Sequence, residues 1–116
     1  MRLRTIVQQK MRRLFSEVDI LLSPARFGPA PKITEPINSS HRADDAAPKQ
    51  PGLSDLIPAG NLAGLPALSL PCGMADAMPV AIQLVGPAFS ENILLGVGKE
   101  FQTRTDWHRR RPPAAS

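Results

Sequence analysis

One cysteine, no tyrosine and an aromatic fraction of 4% leave this 116-residue chain without two common ways of holding a small fold together. Cys72 alone cannot form an internal disulfide, and a lone thiol fits a reducing, cytoplasmic setting. Few aromatics means few large core-filling side chains, so a core has to come from Leu, Ile, Val, Ala and Met. No apolar run reaches the roughly 20 residues that cross a bilayer, so no membrane association is expected. Two histidines, one cysteine and scattered acids give no metal-ligand spacing. No Gly-rich phosphate cradle follows a strand, because Gly96 and Gly98 fall inside a helical pattern. Neither a metal nor a cofactor is expected.

What the chain does have is 13 prolines and a net charge of +4. The cations gather at the ends: Arg2, Arg4, Lys10, Arg12 and Arg13 at one, and Arg104, Arg109, Arg110 and Arg111 at the other. Such charge suits a polyanion, yet no aromatic platform, finger or helix-turn-helix pattern accompanies it, so nucleic-acid binding is disfavoured. The acid-free start imitates an organelle presequence but runs directly into Glu17 and Asp19, which favours an ordinary surface helix.

Leu3, Ile6, Val7, Met11, Leu14, Phe15 and Val18 recur at spacings of three and four, which predicts an amphipathic helix over residues 2–17. Asp19 to Pro24 reads as a short buried strand closed by proline. From 25 to 57 the prolines and the absence of any period predict a long irregular loop, unusual inside a compact small domain and suited to a segment laid over a larger body. Asn61 to Ala63 reads as the last turn of a short helix, Gly64 as its left-handed terminator and Pro66 as the return to extended chain. Two adjacent strands follow, Ala67–Leu70 and Val80–Val85, with a turn over 73–78. Ser90 is placed to cap a final helix ending near Arg104, with Glu91 at the positive end of its dipole. Gly96 and Gly98 each cost about 1 kcal/mol in a helix interior, which suggests close packing against a neighbour. Residues 105–116 read as an exposed tail.

Candidate chemistry is sparse. Nucleophilic catalysis needs a Ser, Cys or Thr beside a base and an oxyanion site. Cys72 follows an apolar strand and reads as a small buried hydrophobe. Ser39-Ser40 beside His41 lacks glycines that would let backbone amides approach a substrate, so a solvated loop is the better reading. Asp44-Asp45 lies in the same loop. Asp106 and His108 form a nominal acid–base pair, but three arginines behind them favour a surface helix-end role.

The string Asn61-Leu62-Ala63-Gly64-Leu65-Pro66-Ala67-Leu68-Ser69, followed by Pro71-Cys72-Gly73, closely resembles the C-terminal signature of amidase-signature enzymes. Pro79 to Gly86, including Gln83, is similar to that family's following strand, Ser90 to Leu95 to its last helix and Thr105 to Pro112 to its closing tail. The four strings keep the family's order and spacing. Upstream, Phe15 to Pro24 is similar to the helix and strand before its variable loop. The resemblance covers nearly the whole chain, with the loop from Arg26 to Pro51 as the weakest stretch.

The resemblance implies an α/β fold: a fragment of the large amidase-signature mixed sheet flanked by helices, with residues 1–116 as a partial, C-terminal domain. It also implies cleavage of carboxamide C–N bonds, through a serine nucleophile, a second serine on a cis peptide and a lysine base. None of those residues matches a position here. No catalytic residue is therefore assigned, and the chain is expected to be inactive alone. Asp55 lies one residue out of register with a substrate-binding aspartate of the family's amidotransferases, and with Asn61 it marks a candidate pocket rim; an ordinary helix N-terminal acid is an equal reading for it. Ala77 and Ala81 stand where the family pattern has glycines. The implied partner is the missing N-terminal amidase portion or a further subunit, and the implied substrate of the complete enzyme is a small amide. Two rival readings stand beside it: a non-catalytic module that docks onto an N-terminal amidase piece through an open sheet edge, and a small basic nucleic-acid binder.

Overall fold

A computed structural model describes residues 2–26, 29–34 and 56–114, with only the backbone for 56–58. In chain order the elements are α1 (Arg2–Leu14), β1 (Leu21–Pro24), α2 (Leu56–Ala63), β2 (Ala67–Ala75), β3 (Met78–Val85), α3 (Glu91–Arg104) and a short 3-10 turn (Trp107–Arg109). The strands form one antiparallel sheet in the order β1-β3-β2. The result is a mixed α/β fold with a small sheet and flanking helices, as the sequence implied. Asp55, the Ser39-Ser40-His41 and Asp44-Asp45 groups and most of the Pro-rich loop lie outside the described residues.

Helix α1 stops at Leu14, three residues short of the sequence expectation. The amides of Ser16 and Glu17 bond to the carbonyls of Arg13 and Leu14, tightening the last turn, and the Ser16 hydroxyl also donates to the Arg13 carbonyl at 2.6 Å. That side-chain bond competes with continued helix.

Helix α2 ends on a Schellman motif: Gly64 sits at φ 73°, its amide reaches the Asn61 carbonyl, and the Leu65 amide reaches Gly60. Strand β2 runs five residues beyond the expected Leu70, because Cys72 is accommodated as the extra residue of a bulge between the pairs Pro71↔Ala81 and Gly73↔Val80. The bulge absorbs Pro71, which has no amide for the ladder. A two-residue turn, Asp76-Ala77, joins β2 to β3 with both residues at positive φ, 50° and 60°.

The strand register puts Leu68, Leu84 and Leu22 in one row and Leu70, Ile82 and Pro24 in the next, all on one face of the sheet. Helix α3 covers that face. Leu70, Leu84 and Leu94 are buried at its centre, with Ile20, Leu68, Ile82 and Phe101 packed around them. Burying each such aliphatic side chain stabilises the fold by about 1.5–3 kcal/mol. Gly98 permits this contact, since a Cβ there would lie 2.7 Å from Leu68 Cδ2. Gly96 does not share the role, because a Cβ there meets nothing within 4 Å.

Two end-of-chain expectations change. Ser90 precedes α3, but its hydroxyl donates to the Pro87 carbonyl at 2.6 Å and makes no side-chain cap. The tail is not uniformly exposed. Its 3-10 turn packs on β2, with Thr105, Trp107 and His108 half-buried, and Arg110 stacks 4.2 Å from the Trp107 ring centre.

Candidate functional site

Four of the signature residues, Asn61, Gly64, Pro66 and Gly86, meet at one structural junction. Asn61 is exposed on the last turn of α2, where its carbonyl accepts the Gly64 amide. Pro66 then turns the chain into β2, and its carbonyl accepts the Gly86 amide at 3.1 Å. That single bond ties the α2–β2 turn to the β3–α3 turn. Gly86 is buried, and a Cβ on it would fall on Ser90 Oγ and lie 3.3 Å from Leu94 Cδ2. The glycine thus lets the start of α3 close over the end of β3. Pro71 sits at the bulge, and Gly73 follows it in ordinary contact distance of Val80.

Gln83 occupies the opposite face of the sheet, in a cross-strand row with Ser23 and Ser69. The row is graded in burial: Ser23 is 2% exposed, Gln83 is half-buried and Ser69 is exposed. The Ser23 hydroxyl is buried without a hydrogen-bond partner among the described residues. Sequence reading singled out Gln83 and passed over both serines. Strand alternation was the available signal, because Ser23 and Ser69 each sit between leucines or proline in a period-two pattern.

This geometry positions backbone but supplies no nucleophile–base pair among the described residues. Ser16 and Ser90 donate to nearby carbonyls. Lys10, Lys32 and Lys99 are exposed on separate elements, and Cys72 is half-buried at the bulge. Asp106 does not engage His108; its carboxylate meets Arg110 at 3.5 Å, while His108 Nδ1 is buried and has no partner among the described residues. Among the described residues no group of three or more His, Cys, Asp or Glu gathers to hold a metal, and no helix is long and apolar enough to cross a membrane. A cavity of about 110 Å³ between α1, the end of α2 and the turn after β3 is lined by Gln8, Met11, Arg12, Phe15, Ala63 and Leu65, among others. Its polar groups are Gln8, which donates to the Ala63 carbonyl, and Arg12.

Comparison with known proteins settles the family. Residues 1–95 match the Amidase family. The chain belongs to it. Over 114 residues it is 45% identical to the glutamyl-tRNA(Gln) amidotransferase A-subunit protein of Synechococcus sp. (strain JA-2-3B'a(2-13)), covering 97% of this chain and 20% of that relative. The protein of the same name from Chloroflexus aggregans is 42% identical over 114 residues, covering 97% of this chain and 22% of the relative. The chain therefore spans about a fifth of the length of these relatives. The crystal structure of the protein of that name from Thermotoga maritima superposes with a TM-score of 0.66 at 22% identity, over 91% of this chain and 22% of that one. It shares the fold of this amidase-family segment.

Proposed function

We propose that the chain is the C-terminal structural portion of an amide-cleaving enzyme, supplying sheet and pocket wall while the acyl-accepting serine resides in another portion. The observation that carries this reading is the use made of the signature residues: Gly64, Pro66 and Gly86 fix the backbone of one junction. The reaction of the completed enzyme is attack of a serine on a carboxamide with release of ammonia, followed by transfer of the acyl group to water to give a carboxylate. In an amidotransferase the released ammonia passes to an acceptor. The partner is an N-terminal amidase portion or a further subunit of such an assembly, and the setting is the cytoplasm. Asp55 and Asn61 are assigned to the rim of the substrate pocket.

Ammonia release from glutamine and from simple primary amides tests the proposal. The purified 116-residue chain releases none, whereas co-expression with the preceding four-fifths of the Synechococcus relative yields activity. Turnover by the isolated chain that disappears when one of its own serines is changed to alanine would overturn the reading.

A further inference from the structure

The first two turns of α3 open on exposed Glu91 and Asn92 and then carry apolar side chains well beyond the face that meets the sheet. At about 3.6 residues per turn, with Leu94, Gly98 and Phe101 facing the sheet, Ile93 and Val97 lie on one flank and Leu95 on the other, and Gly96 points directly away. Ile93, Leu95 and Val97 are all exposed. A surface helix carries one apolar stripe, and exposed apolar side chains on both flanks of that stripe suit a surface that another body covers. The last two turns differ: Lys99, Glu100, Thr103 and Arg104 are exposed, and Arg104 pairs with Glu100 at 2.8 Å in solvent.

Two neighbouring features extend the bare apolar half. Phe89, just ahead of α3, is 96% exposed and held at φ 63°. In the row Leu68–Leu84–Leu22, Leu84 is 5% exposed under α3, but Leu22 on the β1 edge is 61% exposed. Helix α3 therefore roofs β2 and β3 and leaves the β1 flank of the same face open.

We infer that the N-terminal half of α3, with Phe89 and Leu22, is the face that docks the remaining amidase body, and that Gly96 is its point of closest backbone approach. This rests on the proposed function, and it names the surface through which that reading is fulfilled. The occupant follows from length, since about four-fifths of each relative lies outside the segment matched here. It also accounts for Gly96, whose cost to the helix is unrewarded by any contact among the described residues.

The test measures binding of the full chain to the co-expressed preceding four-fifths of the Synechococcus relative. Gly96→Ala is expected to raise the melting temperature of the isolated chain, because alanine strengthens an exposed helix, and to weaken association at least tenfold. Gly96→Leu and Leu22→Arg are expected to abolish detectable association while the isolated variants keep native helicity. Lys99→Glu, on the polar half, is expected to bind like the unaltered chain. Association of Gly96→Leu and Leu22→Arg equal to that of the unaltered chain overturns the inference and leaves the proposed function standing. Failure of the unaltered chain itself to associate overturns both.

Discussion

The two helical layers of this molecule bury their apolar stripes to different extents. On the sheet, α3 puts Leu94 into contact with Leu70 and Leu84, and all three are buried. On the other side, α1 carries an equally regular stripe, yet among its residues only Met11 is buried, while Leu3, Ile6 and Leu14 stay exposed. Helix α1 rests mainly on α2, joined by the Gln8 bond to the Ala63 carbonyl. Periodicity therefore reports which face of a helix is meant for burial, and it does not say whether the covering partner is in the same chain.

Three substitutions sharpen that contrast, each read by urea unfolding followed through Trp107, the single tryptophan. Leu94→Ala carries the largest expected loss: it opens a cavity between α3 and both long strands that costs about 2–5 kcal/mol, and so leaves the isolated chain with little or no folded baseline. Ala77→Gly is expected to stabilise by about 1 kcal/mol, since Ala77 is held at φ 60°, where a Cβ is penalised and glycine is at ease. Leu3→Ser should shift the isolated chain by less than about 0.5 kcal/mol, as expected for an exposed surface position. A Leu3→Ser loss comparable to that of Leu94→Ala would erase the distinction between the two layers.

Much of this architecture was legible because local chemistry and packing agree. Gly64 followed by Pro66 specified a helix stop and strand start, and the structure supplies both Schellman bonds. The α3 stripe and its end at Arg104 were likewise readable. Other features depended on competition that a pattern does not display. Ser90 had the right identity and place for a cap, but the Pro87 carbonyl claimed its hydroxyl. Pro71 suggested an early end to β2, whereas a bulge at Cys72 let the strand continue. The tail looked solvated until Trp107 and Arg110 stacked and its 3-10 turn settled on β2.

The candidate site divides in the same manner. Residues whose role is backbone geometry, Gly64 and Gly86, were identifiable from the sequence, because only a few residue types tolerate those positions. The buried Ser23 hydroxyl was not, because its significance lies in the cross-strand row with Gln83 and Ser69. Among the described residues that hydroxyl has no partner, and an unmet buried hydroxyl costs about 1–3 kcal/mol.

The central claim is that this fold is built to be completed by a larger amidase body, and equilibrium urea unfolding of the purified chain tests it most directly. The account predicts a shallow transition with a stability below about 3 kcal/mol, under the roughly 5–15 kcal/mol of self-sufficient domains. It also predicts a steeper, later transition once the preceding four-fifths of the Synechococcus relative is bound, as linkage to a partner that binds only the folded state requires. A single steep transition of the isolated chain, at more than about 5 kcal/mol and unmoved by that partner, would contradict it.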